Sequence, residues 1–142
     1  MKFVTLCLVF VVAAFGAVGL AAQGRPNFSG TWIAVGPEQR IRELTIKHDD
    51  STLSLEGQPD VAKRTFKLDG SETEMSAPDG KPLLARAAWE GKALVVTIHF
   101  PERKQDIRRQ TWVIDADGQL VIETQLLGGK PQAPLKEVFK RH

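Results

Sequence analysis

The residues of this chain that could do chemistry are few: its histidines, two alternating carboxylates and several arginines set among apolar residues. His48 is followed by Asp49 and Asp50, a histidine and carboxylate grouping of the kind that can hold a metal ion. No second histidine stands two or four residues away, so the grouping reads as a solvated turn. His99 alternates with Val95 and Thr97 on a mixed strand face, which leaves its direction open, and His142 is terminal. Glu72 and Glu74 alternate as paired carboxylates do, but equally as a solvated strand face does. There is no Gly-x-Ser-x-Gly elbow, Gly-rich phosphate loop, Cys-x-x-Cys pair or His-Glu-x-x-His motif. The residues therefore assign no catalytic group, metal or cofactor, and nothing in them promotes an enzyme.

The arginines say more. Arg86 stands in Leu83-Leu-Ala-Arg-Ala-Ala-Trp89, where its charge must reach water or find a partner, because unpaired burial is costly. Pointing inward, it could hold an anionic head group; pointing outward, the simpler reading, it has no special task. Arg108 and Arg109 are adjacent, so in a strand one faces each side, and Arg64 and Gln110 share this setting.

The elements that position these residues follow a period of two. Alternating segments rich in β-branched and aromatic residues predict strands at 28–35, 41–48, 52–57, 62–68, 71–76, 82–89, 93–100, 107–114, 119–127 and 135–141. Asp69-Gly70, Asp79-Gly80, Glu90-Gly91 and Asp117-Gly118 fall between them, as tight turns require. No stretch after residue 25 carries a helical stripe. The fold class is all-β: an antiparallel up-and-down meander. Closing the meander into a barrel would remove its exposed edges, and eight to ten strands enclose room for side chains and one small ligand, although an open sandwich fits the alternation too.

Residues 3–22 are almost wholly apolar, preceded by Lys2 and ended by small residues, the pattern of a secretory signal peptide. The expected division is a signal peptide over 1–22 and one domain over 23–142; an uncleaved anchor is the alternative, since the run can just span a bilayer. Cys7, the single cysteine, lies inside this run, so the mature domain has no disulfide and rests on its core. Lys2 is the only charge removed with the run, leaving a balance one unit less positive than the +2 of the whole chain. Such near-neutrality argues against nucleic-acid binding.

Asn27-Phe28-Ser29-Gly30-Thr31-Trp32 opens the first mature strand, and its Gly-x-Trp step resembles the first-strand signature of calycins, the superfamily of lipocalins, fatty-acid-binding proteins and avidin-like barrels. The chain is also similar to small secreted bacterial proteins of lipocalin-like type that begin Phe-Ser-Gly-Thr-Trp after the signal. The resemblance implies a lipocalin-like barrel of about eight to ten strands. It also implies that Lys140 or Arg141 of the basic last strand lies across Trp32, with Gly30 admitting a close approach. The chain has no tyrosine, so the Arg-x-Tyr carboxylate clamp of fatty-acid-binding proteins is not carried over. Residues 35–41 leave no room for their helical lid either.

The function expected is a secreted or periplasmic protein that binds a small apolar or amphipathic ligand among Phe66, Trp89, Val96, Ile98 and Trp112. An inward Arg86 or Arg109 would orient it, with no membrane contact after signal cleavage. The alternative is a protein-binding or inhibitor module that uses loops 101–106 or 128–134 over a filled interior.

Overall fold

A computed structural model describes residues 24–57 and 63–142. The segment read as a signal peptide, with Cys7, lies outside the described residues. Ten strands follow in order: β1 (Gly30–Ala34), β2 (Glu43–His48), β3 (Thr52–Gly57), β4 (Arg64–Lys67), β5 (Glu72–Ser76), β6 (Pro82–Glu90), β7 (Ala93–His99), β8 (Arg108–Ile114), β9 (Leu120–Leu126) and β10 (Leu135–Arg141). They form one antiparallel sheet in the order β4-β3-β2-β1-β10-β9-β8-β7-β6-β5. Each strand pairs with its sequence neighbour, and the return of β10 to β1 rolls the meander into a barrel, with Trp32 opposite Arg141 and Ala34 opposite Phe139.

The turns show why the strands stop where they do. Asp115 Oδ1 accepts the backbone N–H groups of Asp117 and Gln119 at 2.9 Å each, and Gly118 takes φ 76°, a value that glycine adopts without strain. That turn sends β8 directly back as β9.

Alternation then sorts the side chains. Leu44 and Ile46 of β2, Leu53 and Leu55 of β3, Phe66 of β4, Ala85 and Ala87 of β6, Leu94, Val96 and Ile98 of β7, and Trp112 of β8 point inward in one buried cluster. Phe28, Trp32, Leu120, Ile122 and Phe139 complete it. With no disulfide among the described residues, this cluster is what holds the barrel, and truncating one of its large aromatics would cost about 3–5 kcal/mol.

The barrel closes everywhere except along one seam. β4 and β5 form no ladder with each other; Lys67 N–H reaches Thr73 Oγ1 at 3.3 Å, and Gly70 N–H reaches the Ala87 carbonyl at 3.0 Å. The two strands that border the seam carry Thr65 and Lys67, and Glu72 and Glu74, on their outer faces. Charged edge residues discourage a further strand from adding there.

Candidate functional site

At the closed end the first strand's motif builds the floor. Phe28 is fully buried, and its carbonyl accepts the Trp32 indole N–H at 2.8 Å. The Phe28 ring stacks on Trp89 with centroids 5.8 Å apart and meets Trp112 edge-on at 6.2 Å. Phe28 N–H donates to Nδ1 of His48 at 3.1 Å, so that nitrogen carries a lone pair and His48 is neutral in this arrangement. Burial lowers the His48 pKa, while Asp49 and then Asp50 pull it back up. The Arg141 guanidinium lies over Trp32, its Cζ 4.4 Å from the ring centroid, and donates through Nη1 to the Ser29 carbonyl at 2.6 Å. Lys140 pairs opposite Ile33 on the outer face and is exposed, so Arg141 alone covers the indole.

The middle of the interior is filled. Phe66, Val96, Ile98 and Trp112, four of the residues expected to line a ligand, pack against one another's neighbours in the core and are almost fully buried. Trp89 stands at the floor, half-buried under Arg25, whose Cζ is 5.4 Å from its ring.

The open half is different in kind. Arg64 continues the inward row of Phe66, opposite Leu55. Arg108 lies opposite Ile98 and Leu126, and Gln110 opposite Val96 and Thr124, so both point inward. Gln110 Nε2 donates to Thr124 Oγ1 at 3.1 Å. Glu137 is inward as well, opposite Ile122 and two residues from buried Phe139. Burial raises the Glu137 pKa, and the charge of Arg40 works against that rise. The Nε atoms of Arg64 and Arg108 are both buried and have no hydrogen-bond partner among the described residues. Burial depresses the Arg64 pKa, and the positive charge of Arg108 adds to that effect. Ile41, Met75, Phe100 and Ile107 pack against the core while only partly covered, and Leu126 and Leu135 are exposed.

Comparison with solved structures matches this architecture. The fold is a β-barrel shared with solved structures. The zebrafish ileal bile acid-binding protein, in complex with cholic acid, aligns with TM-score 0.63 and 21% identity over 81% of this chain and 98% of its own. A protein named REP1-NXSQ fatty acid transporter aligns with TM-score 0.61 and 14% identity, over 80% of this chain and 95% of its own. Comparison of the sequence with family models and with curated proteins gives no match.

Two expectations about this barrel are corrected by its register. Arg86 and Arg109 point outward and cannot reach the interior. Arg86 pairs with Asp106, Nη2 to Oδ1 at 3.1 Å, and Arg109 with Glu90, Nη2 to Oε2 at 2.9 Å. An apolar strand tolerates each because a carboxylate and water share its outer face. His99 also turns outward, yet it is 5% exposed, between Glu72 Oε1 at 3.3 Å from Nε2 and Asp106 Oδ1 at 3.7 Å from Nδ1. These carboxylates lie on opposite edges of the ring, and among the described residues no group of three such side chains is arranged to hold a metal ion. Glu137 went unnoticed in the sequence, although its spacing of two from Phe139 places both on one strand face.

Proposed function

We propose that this protein is an exported barrel that binds a small, partly apolar molecule non-covalently in the open half of its interior. One observation carries the reading. Leu126 and Leu135 occupy inward register positions but remain 50% and 56% exposed, and Met75, Phe100 and Ile107 pack against the core while only partly covered. Apolar surface left in water costs about 25 cal/mol per Å², and a ligand seated there would recover part of that. The packed layer of Phe66, Val96 and Ile98 forms the bed on which the ligand rests, and the floor aromatics keep it from passing through. The two similar structures bear the names of a bile acid-binding protein and a fatty acid transporter, and bile acids and fatty acids are molecules of this class. Export rests on the apolar run after Lys2; sequencing the protein from its host should find the chain starting near residue 23.

Native mass spectrometry of protein purified from its own host tests the binding reading. The expected result is an added mass of a few hundred daltons, roughly the size that such pockets take, lost on extraction with organic solvent. No retained mass, together with no saturable binding of an apolar dye, would refute it.

A second reading, recognition of a protein partner by the loops, is favoured by the placement of two shallow grooves. One of about 380 Å³ runs along the rim of β5 and β6 beside Pro101, and one of about 400 Å³ lies on the flank beside Ser29 and His48. Both are outside the packed interior. A partner captured equally well by protein stripped of small molecules would favour this reading.

A further inference from the structure

The outer wall of the barrel buries one ionisable side chain. His99 ends β7, points away from the core and is 5% exposed. Glu72 of β5 offers Oε1 at 3.3 Å from its Nε2, and Asp106 of the β7–β8 loop offers Oδ1 at 3.7 Å from its Nδ1. Arg86 of β6 donates to that same Oδ1 at 3.1 Å. The Nδ1 atom has no hydrogen-bond partner among the described residues. Glu74 stands further along the cross-strand row of His99, with Leu84 between them, and Arg109 of β8 is engaged by Glu90.

The charges of this group balance only with a proton on the ring. Two carboxylates face one guanidinium, and an imidazolium makes up the missing positive charge. A neutral ring carries a single N–H, so whichever nitrogen holds it, the other turns a lone pair toward a carboxylate. The charged ring turns an N–H toward each. In so covered a place, opposed lone pairs and an unmet ring nitrogen are costly.

The ring thereby joins a sheet edge to a loop. β5 is the last strand of the sheet and forms its ladder with β6 alone among the described residues. The β7–β8 loop is anchored at its ends, where Arg103 N–H reaches the Phe100 carbonyl at 3.0 Å and Ile107 N–H reaches the Ile98 carbonyl at 2.7 Å. Glu72 ties the seam strand across β6 to β7, and Asp106 ties the loop to the same ring.

We propose that His99 is a proton-operated latch: its charged ring fastens the seam strand β5 and the β7–β8 loop to β7, and loss of the proton frees both. The latch holds on the acid side of histidine's titration and is lost as pH rises. Its sign is opposite to that of His48, whose neutral ring accepts the Phe28 N–H. It acts on the walls, whatever the interior holds.

Amide hydrogen exchange, corrected for the pH dependence of the exchange chemistry itself, tests this in the His48→Gln protein, where the floor no longer titrates. Histidine changes charge between about pH 5.5 and about pH 8. Over that range the protection of the β5 amides, and of Arg103 and Ile107, should fall at least about threefold, the order expected of partly exposed charge pairs. Protection of the β8–β9 ladder should hold. His99→Gln should abolish the fall. Glu72→Gln should abolish it in β5 and leave it in the loop, and Asp106→Asn should do the reverse. A fall of equal size in the β8–β9 ladder, a fall that survives His99→Gln, or protection indifferent to pH would overturn the latch.

Should His99→Gln fold poorly, nitrogen NMR of the His99 ring in the His48→Gln protein decides. The ring should carry an N–H on both nitrogens at the acid end, and its loss of charge should coincide with the loss of protection in β5 and the loop. Protection that falls where the charge of the ring does not change would overturn the proposal.

Discussion

A methyl group placed on Gly30 would lie 2.9 Å from Nη1 of Arg141, the guanidinium nitrogen that donates to the Ser29 carbonyl. Gly30 also holds φ 132°, where side chains are rarely tolerated. The glycine of the Gly-x-Trp step and the arginine of the last strand therefore require one another. Gly30→Ala should destabilise the barrel by about 1–3 kcal/mol, the cost of forcing such a backbone angle, plus whatever the displaced guanidinium loses. In an Arg141→Ala background the steric part should vanish and the backbone part remain. Denaturant unfolding of the four proteins in the cycle measures both.

Arg141 contributes more than its charge. Arg141→Lys should retain a cation near Trp32 but lose the planar stacking and the bond to Ser29. A loss of about 0.5–2 kcal/mol is expected for removing the cation altogether with Arg141→Met, and a smaller one for lysine. Thermal melts of the two variants against Lys140→Met, whose side chain is exposed on the outer face, check the assignment.

His48 should make the floor acid-sensitive. Its folded pKa is lowered from 6.5, chiefly by burial, so the fold favours the neutral ring that accepts the Phe28 N–H. The stabilisation is then complete above about pH 6.5 and is lost as pH falls through the lower folded value. Urea unfolding should show the barrel weakening between neutral and mildly acidic pH. His48→Gln, which has no titrating ring, should flatten that slope and cost stability at neutral pH.

Outward ion pairs predict silence. The Arg86 and Arg109 side chains are each 41% exposed, and pairs of this kind contribute about 0–1 kcal/mol. Arg86→Ala and Arg109→Ala should leave the binding of any interior dye unchanged, and dye titration checks this directly. A lowered affinity in either would mean that the register read for β6 or β8 is wrong.

Legibility in the sequence followed the physics of alternation. All ten strands lay within a few residues of their expected bounds, because each is short, set off by turn residues and alternates apolar positions with others along most of its length. The pairing of Trp32 with the last strand came from the resemblance, since no local pattern joins Trp32 to Arg141, 109 positions further on. What stayed hidden was direction. Arg108 and Arg109 demanded opposite faces, but their own neighbours did not say which; the answer depends on Trp112 four residues beyond Arg108, whose burial sets the phase of β8. Arg86 shares its strand with buried Ala85 and Ala87, and that phase turns it outward. Glu137 was masked by the charged residues around it, although Phe139 fixes its side. The seam was invisible, because β4 and β5 alternate as well as any other strand and differ only in finding no partner across the gap.

The β2–β3 turn gives a prediction confined to one carboxylate. Asp49 Oδ1 accepts the backbone N–H groups of Ser51 and Thr52 at 2.8 Å each, and also the Ser51 hydroxyl at 3.0 Å. Its Oδ2 accepts the Thr52 hydroxyl at 3.1 Å. The backbone donors do most to favour the ionised form, and the pKa falls from 3.8 to about 2. Because the folded value lies below the unfolded one, the turn's contribution is present above about 3.8 and fades as pH drops through about 2. A carbon-detected NMR titration should find the Asp49 carboxyl still ionised at pH 3. Asp49→Asn keeps an acceptor oxygen for the backbone and should preserve the turn, whereas Asp49→Ala removes it and should speed amide exchange at Ser51 and Thr52. Because His48 adjoins this turn and holds Phe28, exchange should also quicken at Phe28 in the alanine variant; an unchanged Phe28 rate would show that the turn and the floor are independent.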